Sequence, residues 1–492
     1  MLGLVAAGLS TISWHFTIAV GAFGCFYWCV CIDRRHLNEL LLPPLVVLGV
    51  NHLLSSGLGL PLIWLGISSY GNLYEGELQA VGLAQVAHAI AFPILIVGYK
   101  LGRAGSPSFS LGQNANEQNS TLRILSRIGW LLLVYYVIES AGAVVTGSND
   151  RSRILEFLDK GYGIWSWFKL FPRLSAIFYL LVPLMFSRAG KLGRIVLAAL
   201  ICAKIGFGIV SGCRGALLLP ICFLFAGWWM FFPHSRRITG FAVLIAALMI
   251  PYIIFVPFYR STENFTNTQQ TDLSGRIGAI SSGLALLGGE EIGGVVQLTG
   301  ESLHGVNDRQ VFLKTPDEIC HVGWENLDRL KTFWLPSLIA PEKKLLLDGN
   351  EIVQAYRPKD YVFGATISFT ADMFRRFGWM GVVMGALVIG IFHGRIYRFA
   401  FRMQRGPYRL YATLFVLYGI SYLTSTPYMT MLETCWMWMW ELPKHFLLLM
   451  FLAFISSQLS RRLVRKRACN NIAGSPLAQS EVPSIARTYE TA

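Results

Sequence analysis

Charged residues are scarce in this sequence. Asp, Glu, Lys and Arg make up 14% of its 492 residues, whereas hydrophobic residues make up 54%. An ordinary soluble domain has about 25% charged residues and could not bury such an apolar excess. Apolar runs of about 20 residues recur along the chain, the length of a membrane-spanning helix and too long for a barrel strand. We therefore predict an all-α polytopic membrane protein.

Cysteine pairs in C-x-x-C spacing and histidine-rich clusters are both missing from the sequence. Most of the nine cysteines lie inside apolar runs, where small buried hydrophobic residues are expected. The sequence therefore predicts no metal site, no disulfide framework and no cofactor.

The apolar runs predict about eleven transmembrane helices. We expect helices 1–8 in residues 1–258, a large extracytoplasmic loop at 259–376, helices 9–11 in 377–459, and a disordered basic tail at 460–492. The candidate spans are 4–31, 40–66, 78–98, 128–147, 170–187, 195–211, 215–232, 238–258, 377–396, 408–426 and 441–459. No Lys or Arg precedes the first run, which indicates a retained helix rather than a cleaved signal peptide.

Basic residues mark alternate connections between these runs, and this asymmetry sets the predicted orientation. The short connections Ser68–Glu77 and Tyr428–Trp440 contain no Lys or Arg, and Ser148–Lys169 is the exception among those on that side. We therefore place the N-terminus outside and the C-terminus in the cytoplasm. The formal charge of +14 then faces anionic membrane lipids, and no nucleic-acid partner is expected. The basic connections hold Arg34, Arg35, Lys100, Arg103, Arg123, Arg127, Arg188, Lys191, Arg194, Arg236, Arg237, Arg395, Arg398, Arg402, Arg405 and Arg409.

Three arginines occur where the topology predicts the outer face. Arg214 lies in a tight hairpin between Gly212 and Gly215, and Arg260 and Arg276 follow the next outward helix. Guanidinium groups bind phosphate oxygens in a bidentate geometry, so the three arginines could surround one phosphate. The alternative is that each arginine anchors its segment at the lipid headgroups.

Other ionisable residues give weaker indications. His304 and His321 in the outer loop are candidate general bases near neutral pH, although each could simply be a solvated loop histidine. Glu139 and Lys204 fall inside predicted spans, where a charge is costly and suggests either a chemical role or an ion pair between helices.

Three segments together resemble the oligosaccharide repeat-unit polymerases, the O-antigen polymerase-like glycosyltransferases of bacterial membranes. They are Ser211–Leu218, with its Arg-Gly step; Phe333–Lys343, with aromatic and proline residues before a lysine; and Ile367–Val382, with an acidic residue shortly before Phe-Gly. The resemblance covers about residues 195–400. Ser337, Lys344 and Asp372 depart from the residues that are usual in the family.

The resemblance implies a metal-independent enzyme that joins polyprenyl-pyrophosphate-linked oligosaccharides on the outer face of the cytoplasmic membrane. It implies that Arg214 and Arg260 stabilise the departing pyrophosphate, with Arg276 as a third candidate. Asp372, Glu290 and His321, in that order, are the candidates for activating the acceptor hydroxyl. Lys343 and Trp334, with Glu290, are expected to contact the substrate. Chain-length regulator and flippase proteins are the protein partners that the resemblance suggests.

Three other functions stay open on the sequence. An O-antigen ligase would use a similar arginine-lined cavity but a different acceptor. A transporter would show broken helices in matched halves and charges deep in its spans, and no internal repeat is visible here. A non-catalytic assembly protein would tolerate the loss of Arg214.

Overall fold

The computed structural model describes residues 14–33, 45, 48–49, 52–53, 75–104, 115–146, 174–210, 214–232, 273–287, 306–332, 352, 355–356, 367–403, 410, 413–414 and 430–473. Within these ranges the regular structure is entirely helical. The helices are α1 (Trp14–Asp33), α2 (Glu75–Arg103), α3 (Ala115–Thr146), α4 (Leu174–Arg188), α5 (Lys191–Val210), α6 (Arg214–Phe231), α7 (Leu273–Leu287), α8 (Val306–Lys314), α9 (Arg329–Thr332), α10 (Phe369–Met403), α11 (Met431–Trp436) and α12 (Leu442–Ala473), with a π-helix at Met437–Glu441 between the last two.

Five helical stretches are long and apolar enough to cross a membrane, which agrees with a helical multi-pass membrane protein. Two shorter apolar helices, Phe16–Ile32 and Leu174–Arg188, accompany them. The predicted span at 238–258 and most of those at 40–66 and 408–426 lie outside the described residues, so the count of about eleven stays a prediction. The five stretches are Leu83–Arg103, Asn119–Gly142, Lys191–Ile209, Phe369–Phe399 and Met431–Gln458.

Two boundaries differ from the sequence prediction. Helix α10 begins at Phe369, inside the region predicted to be loop. Helix α12 continues to Ala473, whereas disorder was predicted from residue 460. The basic stretch 461–467 is built mainly of good helix formers and has no Gly or Pro, so the preceding helix can extend through it. The rest of the predicted tail, 474–492, lies outside the described residues.

Helix α4 forms the centre of the larger apolar core. Its side chains are buried on every face from Ala176 to Met185, as expected for a helix surrounded by others. Gly129 of α3 lies under the Met185 side chain, and Gly227 of α6 lies against the Leu180 carbonyl. Small residues thus let α3 and α6 pack closely on α4.

Helices α2 and α10 pack backbone to backbone through two glycine pairs. Gly98 lies against Gly390, and Gly102 lies against Gly394. A methyl group added to Gly98 would lie 3.1 Å from the Ile391 nitrogen and 3.2 Å from the Gly390 Cα. Both helices have the G-x-x-x-G spacing that permits such close approach in membranes. Because residue numbers rise together along the contact, the two helices run parallel.

Helix α10 reverses direction at Gly378. That residue has φ 63° and ψ −152°, a conformation that is essentially confined to glycine. A methyl group on Gly385 would lie 2.8 Å from the Met373 Cγ and 3.1 Å from the Phe369 Cε1. In a continuous helix Phe369 and Gly385 would be about 24 Å apart.

The reversal divides α10 into two antiparallel arms. We call residues 369–377 the short arm and residues 379–403 the long arm. Although Phe369–Phe399 qualifies as one span by hydropathy, 31 residues exceed the usual length of a span, and the long arm alone is long enough to cross a membrane.

Candidate functional site

The short arm carries a buried carboxylate that holds two arginines. Asp372 is fully buried, and its Oδ1 accepts hydrogen bonds from Arg375 Nε and Nη2 at 3.0 and 2.8 Å. Its Oδ2 accepts from Arg376 Nε at 3.2 Å and from the Met431 backbone N–H at 2.7 Å. The spacing of three and four residues places both arginines beside Asp372 on one helical face. Asp372 therefore also fixes the start of α11 beside the short arm.

Arg376 links the short arm to the 306–332 segment. Its Nη1 donates to the carbonyl oxygens of Glu325 at 2.9 Å and Gly323 at 3.1 Å. In return, the Gly323 N–H donates to the Arg376 carbonyl at 3.0 Å, and the Val322 N–H donates to the Arg375 carbonyl at 3.2 Å. These reciprocal bonds hold the segment against the turn between the two arms.

His321 lies at the same turn. Its Nδ1 is 3.3 Å from the Arg375 carbonyl oxygen, and its ring meets Phe374 edge-on at 6.0 Å between centroids. A methyl group on Gly378 would lie 3.3 Å from the His321 Nε2. Of the predicted site residues, the structure thus brings Asp372 and His321 together, joined through Arg375.

A second polar group joins α2, α8 and the start of the short arm. Asp308 Oδ1 accepts the Ser368 backbone N–H at 2.8 Å, and Asp308 Oδ2 is 3.2 Å from His88 Nε2. Ser368 Oγ accepts the Ala371 N–H at 3.1 Å, so Ser368 caps the short arm. Its Oγ is also 3.5 Å from His88 Nε2. Serine and aspartate approach the same ring nitrogen, so this is not the arrangement of a serine nucleophile with a relay histidine.

Tyr356 is a further buried polar residue near the Asp372 cluster. Its hydroxyl is 2.8 Å from Thr315 Oγ1, and both side chains are buried. Burial raises the pKa of the Tyr356 hydroxyl, while the hydrogen bond from Thr315 and the positive charge of Arg375 act in the opposite direction. Tyr356 is therefore a neutral hydrogen-bonding group within electrostatic range of the Asp372 cluster.

A third ionisable group lies within the candidate span Met431–Gln458. Glu441, at the end of the π-helix, is buried, and its Oε1 accepts from Lys444 Nζ at 2.6 Å. His445 Nδ1 is 2.8 Å from the Glu441 carbonyl oxygen and 3.3 Å from its Oε2. Single π-turns inside α-helices are frequent at functional sites, and a charged group within a span is a functional candidate.

The predicted arginine cavity is only partly covered by the structure. Arg214 is the first residue of α6, and its side chain is not described. Arg276 in α7 is fully buried. Arg260, Glu290, Trp334, Lys343 and His304 lie outside the described residues. The convergence of three arginines on one pyrophosphate therefore stays a prediction.

No protein-family model, curated protein or solved structure matches this chain. Within the described part of the chain, no three His, Cys, Asp or Glu side chains are grouped so as to hold a metal ion. The function must therefore be argued from the residues themselves.

Most residues of these groups were not predicted from the sequence, among them His88, Asp308, Arg375 and Arg376. Two signals for them exist in the sequence. Arg375 and Arg376 follow Asp372 at helical spacing, and His88 interrupts an apolar run. Asp308 had no such signal, because its partners are remote along the chain.

Proposed function

We propose that this protein polymerises polyprenyl-pyrophosphate-linked oligosaccharide repeat units into a polysaccharide at the outer face of a bacterial cytoplasmic membrane. The observation that carries the proposal is the grouping of polar residues beside the N-terminal half of the long arm. Asp372, Arg375, Arg376 and His321 lie at the turn before that arm, and the His88–Asp308 pair joins the middle of α2 to the start of the short arm.

The orientation follows from the opposite ends of the same two helices. Lys100 and Arg103 lie in the last turn of α2, and Arg395, Arg398 and Arg402 lie near the end of the long arm. Since basic residues favour the cytoplasmic side, these ends face the cytoplasm and the polar groups face outward. A reaction on exported lipid-linked glycans needs its chemistry on that side.

The chemistry is a glycosyl transfer without a metal. An acceptor sugar hydroxyl attacks the anomeric carbon of the donor, and the bond from that carbon to the pyrophosphate oxygen breaks. Negative charge builds up on the departing polyprenyl pyrophosphate, where the guanidinium groups of Arg214, Arg260 and Arg276 stabilise it. Protein cations supply the charge that a metal provides in other phosphate chemistry.

A transporter of lipid-linked glycans is the second candidate, and the Glu441 group favours it. Glu441, Lys444 and His445 lie together within a span, and the neighbouring long arm follows a break at Gly378. Broken helices and buried charges are typical of transport pathways. The described helices give no matched pair of such breaks, which favours the polymerase.

The lipid-linked glycans of cells that lack this protein distinguish the candidates. Accumulated single repeat units on the outer face indicate a polymerase, and complete chains that remain on the lipid indicate a ligase. Single units that a non-permeant glycan-oxidising reagent cannot reach indicate a transporter. An unchanged glycan profile contradicts all three.

A further inference from the structure

We propose that His88 is the base that takes the proton of the acceptor hydroxyl, with Asp308 as the residue that orients it. The inference rests on the proposed glycosyl transfer and assigns its proton acceptor. No sequence motif indicated either residue. The geometry points to them because the fold brings a span, a connecting helix and the short arm together at this pair.

The contact with Asp308 determines which ring nitrogen of His88 can act. Nε2 faces the carboxylate at 3.2 Å, so the neutral ring carries its proton on Nε2 and donates it to Asp308. Nδ1 then has the lone pair, and it makes no hydrogen bond within the described residues. The side chain of His88 is 28% exposed, whereas that of Asp308 is 7% exposed. Among the described residues the ring is therefore hydrogen-bonded at Nε2 only, and part of the side chain is exposed.

Asp308 is itself fixed by the short arm. Its second oxygen accepts the Ser368 N–H at 2.8 Å, and Ser368 caps the helix that carries Asp372. A carboxylate that is held in this way stabilises the imidazolium that forms when His88 accepts a proton. Asp308 thus acts through His88 and is a positioning residue.

The other candidates for the base are less suited to it. Asp372 is fully buried and already accepts four hydrogen bonds, three of them from guanidinium groups. A proton from a sugar hydroxyl has no route to either of its oxygens. His321 is exposed, but its Nδ1 lies 3.3 Å from the Arg375 carbonyl oxygen, and no carboxylate among the described residues pairs with its ring to stabilise an imidazolium. These contacts make Asp372 and His321 organisers of the turn.

The proton balance of the step is simple. As the acceptor oxygen bonds to the anomeric carbon, its proton passes to His88 Nδ1. The electron pair of the broken carbon–oxygen bond leaves with the polyprenyl pyrophosphate. His88 then releases the proton to water and returns to its neutral form. The titratable groups that face His88 are Asp308 on α8 and His52, which stacks on Phe92 of α2 and is within electrostatic range of His88.

The test uses the full-length protein, purified in detergent, with single repeat units on polyprenyl pyrophosphate extracted from the deletion strain. The variants are His88→Gln, His88→Ala and Asp308→Asn, and His393→Gln, at a buried histidine of the long arm, is the matched histidine control. Polymer formation and the thermal unfolding midpoint are measured for each. Glutamine keeps a donor for Asp308 but has no basic nitrogen, so we expect its rate to fall about a hundredfold or more with the midpoint retained. Asp308→Asn is expected to lower the rate too, and His393→Gln to leave it unchanged.

Added imidazole separates a base from a merely structural histidine. If His88 is the base, added imidazole restores part of the activity of folded His88→Ala. It does not restore the activity of His88→Gln, because the glutamine side chain fills the space that imidazole would occupy. Two results would overturn the assignment and leave the proposed function intact. One is a wild-type rate of polymer formation in His88→Gln, and the other is a folded His88→Ala variant whose activity imidazole does not restore. If His88→Gln does not fold, a wild-type rate in folded Asp308→Asn overturns the assignment of the pair. If the wild-type protein itself forms no polymer from these units, the proposed function fails and the assignment fails with it.

Discussion

Arg376 and Asp372 form an ion pair in which neither side chain is exposed, with Nε 3.2 Å from Oδ2. A buried pair of this kind is stable only when further hydrogen bonds satisfy the remaining polar atoms. Here the further partners are the Met431 N–H and the carbonyls of Gly323 and Glu325. One pair therefore joins the short arm to the 306–332 segment and to α11.

Asp372→Asn should destabilise the protein strongly, because it removes the buried negative charge that binds two buried guanidinium groups. We expect a loss of about 3–5 kcal/mol, seen as a lower thermal unfolding midpoint in detergent. Asp328→Asn is the control, since Asp328 is an exposed carboxylate of the same segment. Equal midpoints for the two variants would show that the Asp372 pair does not hold the three regions together.

Gly378→Ala should destabilise the turn between the two arms. A Cβ is strained at φ 63°, and it would also lie 3.3 Å from His321 Nε2. The expected cost is about 1–3 kcal/mol. Gly278→Ala in α7 is the control, because no atom lies within 4 Å of its added methyl and the position is helical. That change should be neutral or slightly stabilising, and a similar result at Gly378 argues against the reversal.

Gly98→Leu should weaken the packing of α2 on α10, because its side chain would meet the Leu387 carbonyl. We expect less folded protein in the membrane and a lower unfolding midpoint, with a cost of at least about 1–3 kcal/mol for overpacking. Gly24→Leu in α1 is the control, since nothing lies within 4 Å of an added Cβ there. Equal membrane levels and midpoints for the two variants would contradict the close contact.

Arg214→Lys should impair polymer formation and leave membrane insertion intact. Lysine keeps the positive charge but loses the two-pronged geometry with which arginine binds phosphate. The measurement is the distribution of glycan chain lengths in the complemented deletion strain. Arg194→Lys, at an exposed position in the first turn of α5, should leave that distribution unchanged. Chains of normal length with Arg214→Lys would remove this arginine from the mechanism.

The approximate positions of the described membrane-length helices follow from the sequence, because a bilayer admits few alternatives to an apolar helix. The course of α10 does not. The predicted span begins at residue 377, beside the break, but only the Gly378 backbone conformation and the contacts of Gly385 show that the preceding residues are helical and fold back. Hydropathy measures how well a segment dissolves in lipid and contains no information about a turn within it.

The candidate site was harder to predict for a related reason. Asp372 was expected to act on the acceptor, although its helical spacing to Arg375 and Arg376 was a signal that these arginines bind it. Nothing in the sequence indicated its bond from the Met431 N–H. The His88–Asp308 pair joins residues that are far apart in the chain. Tertiary pairs of this kind depend on helix packing, which the G-x-x-x-G spacing indicates without naming the partner helix.

The glycine contact between α2 and α10 also constrains how the protein is assembled. Helix α2 is synthesised early, whereas α10 follows only after most of the chain has been translated. During that interval Gly98 and Gly102 of α2 lack their α10 partners. The pair can close only when the whole intervening chain has been threaded to its final side. A chain truncated before Gly390 should therefore leave Gly98 and Gly102 unpacked and be recognised by membrane quality control. In the completed chain the long arm covers both glycines.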